Sequence, residues 1–533
     1  MGKRVLGIYL AIIICFTGLI AKLYMLTSGE NLAQAAENQS KYTIQIDKSR
    51  GYIYDKNLMP LTNTSYDYKA TVLPCPEAAN ALLEENIVAD REFLLSNLEN
   101  HSPFVINVST DQIYAKGVNV FKILKRYPTN SIAPHIIGHL GADRQGLMGI
   151  EHAYDEYLKG YEGELQQTFT TNAVGEPLLG EMGVVINDGY GDKHGVVLTL
   201  DSDIQRIAQI AAKDRIKSGA VVVMDVKNGN ILASVSLPEF DPNNLKKDLN
   251  NKDKPFFNRA FAPTNVGSTF KIIVAACAIE KGIGIDKTYE CKGHIEVGDM
   301  VFHCQNRNGH GALNMEGAME WSCNPYFINL AKEVGVQTIA HKAAQIGLGK
   351  SYEIMPGHFT SSGKLPNFNE LENIGEAANF SFGQGMMTAS PVQVTQMVSC
   401  IANGGIAVSP RIVEGFTNDG ITISEHNEAS AGVQVIEEDA AKTVAKLMGK
   451  VVSQGSGKKA NPVEGEAGGK TGSAQTGIFD EDGKEQVQAW FTGFYPLNNP
   501  QYAITVLAEN EVSGGDICAP IFKEICDNLS LIG

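Results

Sequence analysis

The chain opens on an apolar run. Val5 to Ala21 carries no charge, and Lys3 and Arg4 precede it. Lys22 can bury its stem and keep its ammonium at a polar surface, which extends the apolar stretch to Leu26, long enough for a bilayer-spanning helix. The positive flank predicts a cytoplasmic N-terminus, with everything after residue 27 outside. Ala33-Gln-Ala35 has the form of a signal-peptide cleavage site. It lies far from the end of the run, so an uncleaved anchor over 1–27 is expected.

Residues 28–195 are mixed and polar, with short apolar runs. Arg50-Gly-Tyr-Ile-Tyr-Asp-Lys-Asn57 reads as a short strand and a turn, and Gly146 to Leu158 as a helical stretch closed by Gly160. His135 and His139 stand four apart with Glu151 nearby, but the glycines around His139 argue against a helix that would present both rings to a metal. From residue 196 the pattern sharpens. Val196 to Leu200 reads as a strand, and Asp201 caps a helix with apolar positions Ile204, Ile207 and Ile210. Ala220–Val226 and Ile231–Leu237 read as a hairpin around Asn228-Gly229. Helices then dominate from Ser268 to about Ala402. Strands return at Lys470–Thr476, Ala489–Tyr495 and Tyr502–Ala508, before a last helix opened by Ala519-Pro520. Strands from both ends bracketing a helical middle predict an α+β domain over 196–533: an antiparallel sheet of about five strands with helices on its faces.

At 533 residues, with 43% hydrophobic and 20% charged positions, the chain can bury more than one core. Its net charge of −16 argues against nucleic acid as a partner. Nine cysteines are scattered without a C-x-x-C pair, which argues against a zinc ribbon or a dense disulfide framework. Cys291 and Cys304 flank a hairpin centred on Gly298-Asp299. They read as two free thiols, with a cross-strand disulfide as the alternative. No metal or cofactor is expected.

Three short motifs carry the chemistry. Ser268 and Lys271 lie three apart at the head of the apolar run Ile272–Ile279, so a helix places them on one face. A serine hydroxyl at a helix start, with an apolar-pocketed lysine one turn away, is a nucleophile with its base. Ser361/Lys364 and Ser456/Lys459 repeat that spacing in polar, glycine-containing stretches and read as loop. Ser322-Cys-Asn324 precedes the largely apolar run Tyr326–Ala331, and Lys470-Thr-Gly-Ser473 opens a strand. Lys217-Ser-Gly219 fits the last pattern too, but it precedes the serine. Taken singly, Ser268 and Ser322-Cys-Asn324 could be helix caps and Lys470 a solvated strand-end lysine. Cys323 reads as packing beside the site.

S-x-x-K, then S-x-N, then K-T-G, in this order, is the signature set of penicillin-binding proteins and serine β-lactamases. The chain resembles class B penicillin-binding proteins over most of its length. Arg50-Gly-Tyr-Ile-Tyr-Asp55 and Gly146-Leu-Met-Gly-Ile-Glu151 match that family's N-terminal region. Asn258-Arg-Ala260, Gly383-Gln-Gly385 and Ala489-Trp-Phe491 match its catalytic region. Two stretches depart. Leu58 follows Asn57 where the family more often has glycine, and Pro263-Thr-Asn-Val-Gly-Ser268 replaces Tyr-Pro-Pro-Gly-Ser.

The resemblance implies a penicillin-binding, serine β-lactamase-like transpeptidase domain at 196–533, after an anchor at 1–27 and a mixed, elongated pedestal at 28–195. It implies a serine-type D,D-transpeptidase that cross-links peptidoglycan stem peptides and is trapped by β-lactams. Ser268 would be the nucleophile and Lys271 its base. Ser322 and Asn324 would be relay and positioning groups, and Lys470 a cationic anchor. Thr471, Gly472 and Ser473 would hold substrate, with the Ser268 and Ser473 N–H groups as oxyanion donors. A polytopic glycan polymerase is the implied partner, through anchor and pedestal. Two further readings stay open: a carboxypeptidase or β-lactamase with water as acceptor, and a non-catalytic membrane scaffold or β-lactam sensor. No Glu-Asp-x-x-Phe stretch follows the anchor, so the chain reads as lacking a glycosyltransferase domain.

Overall fold

The computed structural model describes residues 2–27, 41–84, 86–100, 102–172, 178, 183–479, 483, 485–511 and 513–532. Ala33-Gln-Ala35 lies outside the described residues. The chain divides into two compact units that interleave along the sequence: residues 1–50, 63–126 and 160–192 form the first, and residues 51–62, 127–159 and 193–533 the second. The division expected at residue 195 therefore runs differently. Segments 51–62 and 127–159 join the second unit because their apolar residues enter its core, where Ile53, Leu61, Ile136, Ile150 and Leu158 pack with Val196 and Leu198.

The first unit begins with a continuous helix, Gly2–Thr27, long and apolar enough to cross a membrane. It also holds two three-stranded antiparallel sheets. In one, Glu164–Thr170 lies between Lys41–Lys48 and Val184–Asp188. In the other, Ser65–Val72 lies between Phe104–Val108 and Val118–Lys125. Helices Pro76–Leu82 and Arg91–Glu99 bury Leu82 and Leu94 against the second sheet's Val72, Phe104 and Ile106.

The second unit is built on a five-stranded sheet whose strands all run antiparallel: β1 (Gly219–Asp225), β2 (Ile231–Leu237), β3 (Gly468–Phe479), β4 (Glu485–Tyr495) and β5 (Tyr502–Glu509), in spatial order β2-β1-β5-β4-β3. Helices cover both faces. On one lie α1 (Ser202–Ala212) and α6 (Ala519–Ile532). On the other lie α2 (Lys271–Glu280), α3 (Asn324–Val334), α4 (Pro391–Ala402) and α5 (Glu438–Ser453). Two-sided cover explains why Ala220 to Met224 of β1 reads as an unbroken apolar run and not as an alternating pattern. Asp201 caps α1 through Oδ1 to the Asp203 and Ile204 N–H groups. Of the three apolar positions expected to face the core there, Ile210 instead faces solvent.

The stretch from Ser268 to Ala402 is less uniformly helical than its sequence suggests. Short strands at Tyr289–Cys291, His294–Val297, Met300–His303 and Gly311–Leu313 form two small antiparallel pairs. Arg50-to-Asn57 contains the expected strand and turn. Tyr52–Tyr54 pairs in parallel with Gly195–Leu198, and Asp55 Oδ1 accepts the Asn57 and Met59 N–H groups. Leu58 sits at φ +61°, the left-handed region that a glycine occupies without strain. His135 is engaged elsewhere than at a metal: its ring bonds the Pro255 carbonyl at 2.6 Å and packs on Phe240, as does His139.

Candidate active site

The Ser268 segment begins with a tighter turn than expected. Gly267–Phe270 is a 3-10 turn and the α-helix proper starts at Lys271. Gly267 makes the turn at φ +57°, and a Cβ there would lie 2.9 Å from the Ser473 carbonyl oxygen. Its N–H donates to the Gly383 carbonyl at 2.8 Å. A Cβ on Gly472 would meet Thr269 Cγ2 at 2.9 Å. Small residues thus let β3 lie directly on the turn that carries Ser268, which places Ser268 beside Gly472 and Ser473. Among the described residues the Ser268 hydroxyl makes no hydrogen bond, and the turn takes no side-chain cap, so a capping role does not hold it.

Lys271 is fully buried at the head of α2. Its Nζ donates to the Ser322 carbonyl at 2.7 Å, to Ser322 Oγ at 3.2 Å and to Asn324 Oδ1 at 2.6 Å. Burial lowers its pKa to about 7, with the Cys323 and Cys304 sulfurs opposing. Lys470, also fully buried, lies mid-register in β3 opposite Thr492 and not at a solvated strand end. Its Nζ donates to Ser322 Oγ at 2.9 Å and to the Thr471 carbonyl at 3.1 Å. Burial first, and the charge of Lys271 second, hold its pKa well below the ordinary lysine value. Two buried ammoniums on one hydroxyl repel, so the pair favours fewer than two charges.

Ser322 therefore accepts from both lysines, which leaves its own proton to donate elsewhere. It lies at φ +55° in the loop before α3. Asn324 receives Lys271 on Oδ1 and donates through Nδ2 to the His303 carbonyl at 3.0 Å. The structure thus brings Lys271, Ser322, Asn324 and Lys470 into one hydrogen-bonded cluster, with Ser268 and Ser473 alongside. Among the described residues no carboxylate bonds to any member of that cluster.

One residue of the site was passed over as loop. Ser456 Oγ hydrogen-bonds Thr471 Oγ1 at 3.0 Å. Ser456 also lines a cavity of about 860 Å³ with Thr288, Asn306, Asn314 and Trp321. Its only sequence signal is the repeated S-x-x-K spacing, which pointed to the wrong chemistry. Lys217-Ser-Gly219 lies at the start of β1, where Lys217 is exposed.

Residues 219–527 match the family described as the penicillin binding protein transpeptidase domain. The chain is 31% identical to stage V sporulation protein D of Bacillus subtilis, a match that covers all of this chain and 86% of that protein. Its fold matches penicillin binding protein 3 of Mycobacterium tuberculosis solved with ampicillin, at TM-score 0.67 and 25% identity, over 92% of this chain and 96% of that one. It also matches, at TM-score 0.71 and 24% identity, a chain from a structure on the coordination of polymerization and crosslinking by a peptidoglycan synthase complex, over 99% and 98% of the two chains. By its matched domain and its full-length relative, the chain belongs to the penicillin-binding protein transpeptidase family.

Proposed function

We propose that the chain is a serine D,D-transpeptidase that cross-links peptidoglycan stem peptides outside the cell, tethered by Gly2–Thr27 with its N-terminus in the cytoplasm. The observation that carries this reading is the buried Lys271, with a pKa near 7 and a Ser322–Asn324 clamp, one turn from Ser268. A neutral lysine in that position is a competent base for the Ser268 hydroxyl. Ser268 Oγ attacks the carbonyl of the penultimate D-alanine and its proton passes to Lys271. The backbone N–H groups of Ser268 and Ser473 receive the oxyanion. Ser322 relays a proton to the leaving amine, and terminal D-alanine departs. The acyl-enzyme then passes to an amine of a neighbouring strand. Thr471 and Ser473 hold the terminal carboxylate, and Lys470 contributes the positive potential of its half of the pair.

A hydrolase needs a base for water in the deacylation step. The absence of a carboxylate bonded to the cluster, among the described residues, supports an amine acceptor. The anchor and the first unit suit contact with a polytopic glycan polymerase. The test is intact-mass spectrometry of the full-length chain after exposure to a fluorescent penicillin. A stable single adduct that Ser268→Ala lacks is expected. An adduct that forms and disappears within seconds overturns the transpeptidase in favour of a hydrolase, and no adduct on folded protein overturns the assignment of Ser268.

A further inference from the structure

Three cysteines and a histidine from separate short elements between residues 291 and 323 converge beside the Ser322–Asn324 loop. The ligand atoms of Cys291, Cys304, His310 and Cys323 all lie within 4.8 Å of one another. Cys291, Cys304 and Cys323 are buried, and His310 is half-buried. We propose that these four side chains form a structural zinc site that holds the Ser322–Asn324 loop in place.

The distances fit tetrahedral coordination. Bonds of about 2.3 Å to sulfur and about 2.0–2.1 Å to nitrogen put neighbouring sulfurs roughly 3.8 Å apart, and sulfur and nitrogen roughly 3.6 Å apart. Here Cys304 Sγ lies 4.0 Å from Cys323 Sγ and 3.5 Å from His310 Nδ1. A disulfide needs its sulfurs about 2.05 Å apart, and it would use only two of the four groups. A thiophilic divalent ion uses all four. Three sulfurs and one imidazole in this geometry are the donor set of zinc. Every coordination position is then filled by protein, so the ion is a structural element and not a Lewis acid for the substrate. Binding releases the three thiol protons, and the imidazole enters as the neutral ring.

The backbone around the cluster is arranged to hold it. Cys291 pairs with Gly311, which places His310 at the adjoining end of the short ladder. The Cys304 N–H donates to the Gly293 carbonyl at 2.9 Å. Gly293 and Gly309 turn at φ +86° and +83°, and a Cβ on either would strike the opposite backbone at 2.1–2.2 Å.

The position gives the ion a consequence. Cys323 lies between Ser322 and Asn324, the two residues that grip Lys271. Cys304 directly follows His303, whose carbonyl takes the other end of Asn324. An ion bound to Cys323 and Cys304 therefore fixes the loop from behind, while the lysines fix it from the front.

The test uses the full-length chain purified in detergent, under reductant and without chelator. Metal analysis should find one zinc per chain. Exchange for cobalt should give the intense visible bands of a tetrahedral ion with thiolate-to-cobalt charge transfer. Cys291→Ser with His310→Ala should lose the metal, while Cys75→Ser should keep it. Chelation should slow penicillin acylation by about tenfold or more, through misplacement of the loop, and added zinc should restore it. The metal and cobalt readouts do not depend on the transpeptidase reading. Substoichiometric zinc after equilibration, an octahedral cobalt spectrum, equal zinc in the double variant, or a Cys304–Cys323 cross-link found by mass under the same conditions would each overturn the proposal.

Discussion

The two arms of the cleft are held by different means. Gly267–Glu280 is contiguous and buried from Gly267 to Ala278, and its own hydrogen bonds shape it: Thr269 Oγ1 donates back to the Val266 carbonyl at 3.0 Å. The opposite arm, Trp321 to Asn324, is a loop. Ser322 holds a left-handed backbone that costs on the order of 1–3 kcal/mol. What keeps it there comes from elsewhere: Lys271 on α2, Lys470 on β3, and the sulfurs behind Cys323. Apart from its 3-10 start, which packs on β3 and Gly383, the Ser268 arm is a product of local sequence, and the Ser322 arm is a product of long-range contacts. The second arm is therefore the one that a change far away in the chain can move.

Removing the base should separate the arms most clearly. Lys271→Met keeps the volume and the apolar burial but deletes the amine. Acylation by penicillin should fall by about three orders of magnitude, followed as the second-order rate of adduct formation, with the fold intact by circular dichroism. A fall of less than tenfold would mean that another group serves as base. Ser322→Ala should cost less, roughly 10–100-fold, because it strips the shared acceptor from both lysines but leaves the Ser268 hydroxyl and the Lys271 amine in place. An equal loss in the two variants would erase the distinction between the arms.

The pH profile sharpens the comparison. As the proposed base, Lys271 acts in its neutral form, which grows as pH rises through about 7. Acylation should therefore climb with pH on the acid side and be half-maximal near 7. The charge of Lys271 holds the Lys470 pKa down, while burial is what lowers that of Lys271, so Lys470→Met should leave the acid limb near 7. A limb that moves to higher pH would show that Lys470 carries charge while Lys271 titrates. The smallest effect is expected at Ser456→Ala. Loss of its bond to Thr471 should weaken acylation by about 0.5–1.5 kcal/mol, or roughly two- to tenfold.

These differences also mark what the sequence could tell. Ser268 and Lys271 were legible because a helical turn brings residues three apart together, and the apolar run behind them announced burial. β1, β2, β4 and β5 were legible from their largely apolar residues and from the Asn228-Gly229 turn, while β3 is largely polar. The 3-10 start at Gly267 was not, because it depends on β3 lying against the glycine. Ser456 does lie in a turn, as read, but its bond to Thr471 was not legible because that partner comes from another element. Cys291 and Cys304 were read together as free thiols flanking a hairpin and Cys323 as packing, and His310 was not singled out. Their spacing matches no short metal motif, and only the hairpin and the loop before α3 bring them together.

The strand order of the central sheet has a consequence for how the molecule comes into being. β1 leaves the ribosome early, yet its neighbour β5 pairs with it from Tyr502 to Ala508, with nearly the whole second unit threaded between them. Pairing across so much chain is slow to close, and the intervening helices must wait with their apolar faces uncovered. The Lys470 strand reaches β1 only through β4 and β5. Synthesis halted before Tyr502 would therefore yield a chain that already carries every side chain of the candidate site and yet lacks the strand that joins the Lys470 strand to β1.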